Sequence, residues 1–361
     1  MAKPAFKQNR KRPVKTSKVA EHGKTASSAE TSSRPAEAQR APRVARAGAR
    51  LPETIGLVEE SAASEDYALI DTGHGEKLER YGKLLIRRPE GQAIWAPSLG
   101  KEEWAKADAH FSGDTDEEGR GRWRYPKLSG HEQLPETWPL AFDGLNYLGR
   151  FTSFRHTGVF PEQAAHWQGL QRAITRAAPD QSVRVLNLFG YTGLASLVAA
   201  RAGAHVTHVD ASKKAIGWAR ENQSVARLDD KPIRWICEDA ARFCAREVRR
   251  RNTYDIILLD PPAFGRGPKG EVWQLFEDLP YLLDDVRALQ SKQPIMTVLT
   301  AYAIRASHLA IHEAMQEAFA GMSGRLESGE LILRQQVDGR ALSTSMFSRF
   351  VGEAVAWDSE P

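Results

Sequence analysis

Cysteine is nearly absent from this sequence: Cys237 and Cys244 are the only two in 361 residues. Two thiols so placed make neither a disulfide framework nor a metal-ligand set, so no metal is expected and a reducing, cytoplasmic setting fits. Long apolar runs are missing too. No stretch approaches the roughly 18 to 20 apolar residues that cross a bilayer, and the N-terminus lacks the apolar core of a secretory signal, so no membrane partner is expected. The G-x-G-x-x-G turn of dinucleotide-binding folds is also lacking. At 41% hydrophobic and 27% charged, what remains is the balance of a soluble globular chain with room for two ordinary domains.

Acids are scarce at the start of the chain. Residues 1–50 hold 13 Lys or Arg against 3 Asp or Glu, a net +10, which leaves −6 for the rest of a +4 chain. This stretch has one aromatic, Phe6, and no apolar periodicity, so it cannot bury enough surface to fold, and a disordered basic tail is predicted over 1–60. Such a polycation suits a sequence-independent nucleic-acid tether. A solubility tail and an organellar transit segment are the two alternatives that the composition also permits.

From about residue 65 the composition changes. "YALIDTGHGEKLERYGKLLIRRPEGQAIWAP" has short apolar and aromatic runs split by Gly, Pro and Asp, which reads as strands and turns. Five of the nine Trp (Trp95, Trp104, Trp123, Trp138 and Trp167) fall between 95 and 167, a density that favours core packing over a ligand platform. A small β-rich accessory domain is predicted over 65–150, followed by a catalytic domain over 151–355.

In that second part, strand and helix patterns alternate. "VRVLNLF" (183–189), "HVTHVD" (205–210), "IRWICED" (233–239) and "YDIILLD" (254–260) are short β-rich runs, separated by the helical patterns "GLASLVAARAG", "ASKKAIGWARENQSVARL" and "AARFCAREVRRR". This interval indicates βαβ units, and hence an α/β, Rossmann-like fold whose parallel sheet is covered on both faces. "ELILRQQV" and "ALSTSMFSRFV" are expected to close the sheet as an antiparallel hairpin.

Ligands in such sheets sit beyond the C-terminal strand ends. The first strand leads into "NLFGYTG", where Gly190 and Gly193 allow a close backbone turn. The second ends in Asp210, 20 positions after Gly190, where an acid accepts both hydroxyls of a ribose. The third ends in Glu238 and Asp239, the fourth in Asp260. One acid at a strand end is most often a helix cap or a solvated terminus; four successive polar ends point to a site. S-adenosylmethionine needs no diphosphate turn and offers a ribose, an adenine amine and a charged amino-acid end. After the fourth strand, "DPPAF" adds two prolines that cannot donate, so that Asp260 and the local carbonyls form a rigid set of acceptors, and Phe264 offers a flat face to a base. The loop "GRGPKGEVW" joins Gly265, Gly267 and Gly270 to Arg266 and Lys269, the composition of a lid that orders over a nucleic-acid substrate and contacts its phosphates.

These motifs carry a resemblance. From roughly Tyr67 to Phe350 the chain resembles class I S-adenosylmethionine-dependent methyltransferases related to the bacterial large-subunit ribosomal RNA methyltransferases. The matching segments are "RFTSFRHTGVFPEQAAHW", "NLFGYTGLASL", "VDASKKAIGWARENQ", "CEDAARF" and "LLDPPAFGRG". The resemblance implies that Asn187, Phe189, Gly190, Tyr191 and Thr192 surround the methionine part of the cofactor. It places Asp210, beside Ala211, at the ribose, Asp239 and Ala240 at the adenine, and Gln163 close by. Asp260, Pro261 and Pro262 would border the reacting methyl, and ribosomal or other RNA is the implied partner.

Relatives that methylate carbon 5 of cytosine need a thiolate after the fifth strand. Here that strand is "PIMTVLTAY", and Leu299, Thr300 and Ala301 occupy the place. Direct transfer to a base is therefore the favoured chemistry, with cytosine carbon-5 transfer as an alternative. A nicotinamide-dependent oxidoreductase and a noncatalytic RNA-binding protein are the rival classes.

Overall fold

The computed structural model describes residues 43–61, 64–113, 121–126, 135–177, 182–302 and 306–353. Most of the predicted tail, residues 1–42, lies outside the described residues. Its C-terminal end needs correction, because Glu53–Ser61 forms a strand, β1, within the central sheet. "ETIGLVEES" has polar residues on both faces and gives no local signal. It is made a strand by parallel pairing with Gly324–Arg334, Glu53 against Leu326 and Ser61 against Leu333. Just before it, the last three arginines of the basic stretch are bound to acids. Arg43 and Arg46 each lie 2.9 Å from Asp284, and Arg50 lies 2.8 Å from Glu313.

Strands β2 (Tyr67–Gly73), β3 (Glu76–Tyr81), β4 (Leu84–Pro89), β5 (Ala109–Gly113) and β6 (Gly121–Arg124) form one five-stranded sheet in chain order, with a short helix α1 (Lys101–Trp104) before β5. Strands β7 (Thr137–Phe142) and β8 (Leu145–Arg150) form a hairpin. Trp104, Trp138 and Trp167 are buried, and Trp123 packs its ring 4.7 Å from Phe151, so these tryptophans are core. Their apolar cluster does not stop at residue 150. Tyr67, Leu69, Ile86 and Trp138 share one core with Trp167 of helix α2 (Ala164–Ala177) and with Leu194 and Leu197 of helix α3 (Leu194–Arg201). Arg88, buried against Glu79, also donates to the Arg155 carbonyl at 3.1 Å, which fixes the loop running into the second half.

The predicted alternation is present nearly residue for residue. Strands β9 (Arg184–Leu188), β10 (His205–Asp210), β11 (Ile233–Cys237) and β12 (Ile256–Leu259) alternate with α3, α4 (Lys213–Val225) and α5 (Ala240–Arg250). After β12 come a small hairpin of β13 (Phe264–Arg266) and β14 (Val272–Gln274), then helix α6 (Leu275–Ala288), β15 (Met296–Tyr302) and helix α7 (His308–Phe319). The chain closes with β16 (Gly324–Arg334) and β17 (Ala341–Gly352), the predicted antiparallel hairpin. The eight-stranded order is β1-β16-β17-β15-β12-β9-β10-β11, with β15, β12, β9, β10 and β11 parallel. Chain direction across the sheet reverses between β9 and β12. The crevice outside their C-terminal ends is the topological switch point at which such sheets bind ligands.

Candidate active site

The turn after β9 is a strained piece of backbone. Phe189 and Tyr191, on either side of Gly190, have φ of 56° and 49°, in the left-handed region that side chains disfavour. Each costs on the order of 1–3 kcal/mol and persists only if its surroundings enforce it. They do: Gly190 donates to the Val209 carbonyl at 3.1 Å, Tyr191 N–H to Asp210 Oδ2 at 2.9 Å, and Asn222 Nδ2 to the Thr192 carbonyl at 2.9 Å. Gly190 itself is dictated from beneath, since a Cβ there would lie 2.4 Å from His208 Cε1. That imidazole is fully buried, pairs through Nδ1 with Ser196 Oγ at 3.0 Å, and is held neutral by burial, its pKa pushed down to about 3. Asn187 Nδ2 donates to the same Ser196 Oγ at 2.9 Å.

The acids sit where the strand-end rule put them. Asp210, at the end of β10, accepts Tyr191 N–H on one oxygen and Ser212 N–H on the other at 2.7 Å. Burial nevertheless raises its pKa. Asp239 caps α5 through Arg242 N–H at 2.9 Å, and burial raises it as well. The cap reading and the site reading of Asp239 are thus both occupied by one side chain. Asp260 follows β12 and receives Gln163 Nε2 at 3.4 Å, while the same Nε2 donates to Tyr302 Oη at 2.7 Å.

Around these groups lies a cavity in two connected parts. The outer part, about 1090 Å³ of space open to solvent, is bordered by Asp210, Ala211, Asp239, Ala240, Asp260, Pro261 and Pro262. The smaller part, termed inner and likewise open to solvent, is about 630 Å³ and is bordered by Gln163, Asn187, Gly190 and Thr192. Phe160, Phe189, Tyr191 and Asp260 border both. All ten residues assigned to a cofactor from the sequence are therefore brought together. Among them, Thr192 and Asn187 have polar groups turned to the protein, since Thr192 Oγ1 donates to the Gly158 carbonyl at 2.7 Å and the Asn187 amide serves Ser196.

The acceptor side departs more from expectation. The Pro262 carbonyl, expected to face a ligand, accepts Trp273 Nε1 at 2.8 Å. Phe264 is partly exposed on β13 and does not border the cavity; the Arg266 guanidinium lies over its ring at 5.8 Å. Arg266 does reach the rim, whereas Lys269 sits in the hairpin turn with its backbone N–H on Glu271. The glycine-rich segment expected to be a lid is thus an ordered hairpin with Phe264 opposite Gln274.

Sequence reasoning gave no role to His156, Phe160, Trp273 or Tyr302, all of which border the outer part. Tyr302 was within reach, because it ends β15 and the strand-end rule applied to the fifth strand selects it. His156 and Phe160 lie on an irregular loop that shows no periodicity.

The donor set decides what fits. Three carboxylates face the outer part, and among the described residues Arg266 and His156 are its basic neighbours. A diphosphate would meet like charge there, while a cationic ligand would meet its complement. Each Asp210 oxygen, holding one backbone N–H, keeps acceptor capacity for a hydroxyl, and donors to a desolvated carboxylate are favourable. A ribose-bearing sulfonium therefore fits these residues.

A family model described as S-adenosylmethionine-dependent methyltransferase matches residues 120–319. Among solved structures, the chain is 55% identical to an S-adenosylmethionine-dependent methyltransferase from Agrobacterium tumefaciens, at TM-score 0.81, covering 86% of this chain and 98% of that one. Among curated proteins it is similar to ribosomal RNA large subunit methyltransferase K/L of Alteromonas mediterranea, 29% identical over 176 residues, covering 48% of this chain and 23% of that one. The corresponding protein of Shewanella oneidensis is 34% identical over 162 residues, covering 44% and 20%. The chain spans about a quarter or less of the length of these curated relatives.

Proposed function

The chain belongs to the S-adenosylmethionine-dependent methyltransferases, and on that premise we propose that it methylates a base in RNA, ribosomal RNA first, by direct transfer without a covalent enzyme intermediate. The observation that carries this reading is the Asp260 turn, where a carboxylate, an amide and a phenol hydroxyl converge on the cavity. Bound in the cavity, S-adenosylmethionine supplies an electrophilic methyl on a sulfonium. The roles of the chain's own residues follow from their positions. Asp210 holds the ribose and Asp239 the adenine edge. The turn from Phe189 to Thr192 receives the amino-acid end, and Asp260 orients the acceptor amine or hydroxyl. The RNA assignment rests on the resemblance to ribosomal RNA methyltransferases and on the basic N-terminal stretch.

Direct transfer is supported by the fate of both thiols. Cys244 is buried in the core on α5, and Cys237 is exposed at the end of β11, with Sγ 3.7 Å from the Ala211 carbonyl on the adenine side. Neither is placed to attack a base held at Asp260. The Cys237→Ser, Cys244→Ala double variant is expected to keep most of its methyl transfer to RNA from cells lacking the protein. Alanine is chosen at 244 because a hydroxyl buried there without a partner costs about 1–3 kcal/mol. Trapping of a covalent adduct on 5-fluorocytosine RNA, lost in either single Cys variant, would replace direct transfer by the cytosine carbon-5 mechanism. Absence of S-adenosylmethionine binding by calorimetry would remove the whole reading.

The tether is testable separately. Arg43, Arg46 and Arg50 are engaged with acids, so the charge available to RNA is that of residues 1–42, ten Lys or Arg against three Glu. Deleting residues 1–42 is expected to weaken RNA binding and to flatten its dependence on salt while leaving cofactor affinity unchanged, because each phosphate contact releases counterions. An unchanged salt slope would favour the solubility or transit reading.

A further inference from the structure

Gln163 touches both Asp260 and Tyr302, and a side-chain amide can face either way. Its orientation has to come from its partners. A carboxylate accepts and cannot donate, so an ionised Asp260 selects Nε2 rather than Oε1 for the edge 3.4 Å from its Oδ2. Tyr302 Oη lies 2.7 Å from the same nitrogen. The amide oxygen is then turned toward helix α2, where His166 Nδ1 stands 3.1 Å away. An amide oxygen only accepts, so that ring nitrogen must carry a proton. Flipped, the amide would set Oε1 against the Asp260 carboxylate and an N–H against the Nδ1–H.

We propose that His166 is a positioning residue whose Nδ1–H fixes the Gln163 amide with its N–H₂ edge on Asp260 and Tyr302, so that the carboxylate is oriented before any substrate arrives. The inference rests on the reading of the Asp260 turn as the transfer site. Its geometry is local and pinned. Gln163 ends a 3-10 turn (Pro161–Gln163) and His166 lies three residues on in α2, on the same face. Ser61 at the end of β1 bridges this junction, donating to the Glu162 carbonyl at 2.6 Å and accepting from Ala165 N–H at 3.1 Å.

The ring is buried, at 7% exposure, and borders the inner part of the cavity. Phe347 of β17 meets it edge-on at 5.2 Å. Two charges from other strands face it: Glu59 of β1 has Oε2 3.7 Å from Nε2, and Arg349 of β17 binds Glu59 at 2.7 Å and also binds Glu327 of β16. At 3.7 Å the Glu59 oxygen lies beyond hydrogen-bond reach, so it gives Nε2 no acceptor that would place the proton there. Burial first and Arg349 second push the His166 pKa down to about 3. A neutral ring has one proton, and the Gln163 oxygen places it on Nδ1.

Nitrogen-15 NMR of the full chain, with the His166 signals identified by their loss in His166→Phe, reads the tautomer directly. A protonated Nδ1 and a bare Nε2, unchanged across the neutral pH range, are expected; a proton on Nε2 alone would overturn the proposal. Kinetics supply the second readout. His166→Phe should lower kcat about ten-fold or more, leave the calorimetric Kd for S-adenosylhomocysteine within about two-fold, and be largely rescued by His166→Asn, whose Nδ2 donates from nearly the same place. Equal losses in kcat and cofactor affinity with no rescue by Asn would reduce His166 to packing and also overturn it. If wild-type protein transfers no methyl to RNA, the RNA reading fails, while the tautomer measurement still decides the positioning role.

Discussion

Replacing Asp260 with alanine is expected to lower methyl transfer by about two or more orders of magnitude while leaving S-adenosylmethionine affinity within about three-fold of wild type. The split follows from where the carboxylate stands. It borders both parts of the cavity and is tied to Gln163, yet the groups assigned to the ribose and the adenine are Asp210 and Asp239, on other strands. Direct transfer needs an acceptor lone pair aligned with the methyl and a fixed charge that holds it, so removing that charge acts on the reacting geometry. Asp260→Asn is the informative companion. It keeps the size and one acceptor oxygen, and it should recover part of the loss if orientation dominates and none if the negative charge does. Single-turnover transfer to RNA from cells lacking the protein, run beside calorimetry, checks both halves. Retention of near wild-type transfer by Asp260→Ala would move the transfer site away from this turn.

Asp210→Ala is expected to weaken cofactor binding at least ten-fold, through two losses at once. The first is the pair of acceptors offered to the ribose, worth about 1–3 kcal/mol when donors are left unsatisfied. The second is internal. The two Asp210 oxygens hold Tyr191 N–H and Ser212 N–H, and Tyr191 is one of the two non-glycine left-handed residues of the glycine turn. Without the carboxylate that strain has one restraint fewer, so the turn itself should relax. A pH series separates the contributions. Burial raises the pKa of Asp210 above its ordinary 3.8, so the ionised form is lost earlier on acidification than for a solvated aspartate. Affinity for S-adenosylmethionine should therefore be full well above that raised value and fall as pH drops through it. The Asp210→Ala variant should be weak throughout and less dependent on pH, with the remaining dependence owed to Asp239, which burial raises in the same direction. Calorimetric Kd values for the two proteins across the acidic range decide it; parallel curves would mean that Asp210 does not face the ligand.

The acids of this site were legible because they obey a local rule. Each strand of the parallel sheet announces itself as a short β-rich run, each ends at a chemical discontinuity, and Asp210, Asp239 and Asp260 stand at those ends. The same rule, carried one strand further, selects Tyr302. His166 was not legible, although it falls within a quoted motif. A histidine on the apolar face of a helix looks like core, and only its contact with Gln163 distinguishes it. The acceptor turn was half legible: two prolines do remove donors, but the indole that occupies the Pro262 carbonyl comes from position 273 across a hairpin.

By itself, the sequence determined the alternation of strands and helices, the closing hairpin and the glycine turn, because periodicity and backbone freedom act over a few residues. Tertiary structure alone decided three other things. It made "ETIGLVEES" a strand by pairing it with residues about 270 positions away, where backbone hydrogen bonds rather than side-chain pattern supply the stabilisation. It merged the predicted accessory region with the catalytic sheet through a common apolar core. It also joined Asp260 to Gln163, 97 positions apart, and Gln163 to Tyr302, 139 apart. Such contacts leave no trace in local propensity, since their geometry exists only after the sheet has brought the strand ends together.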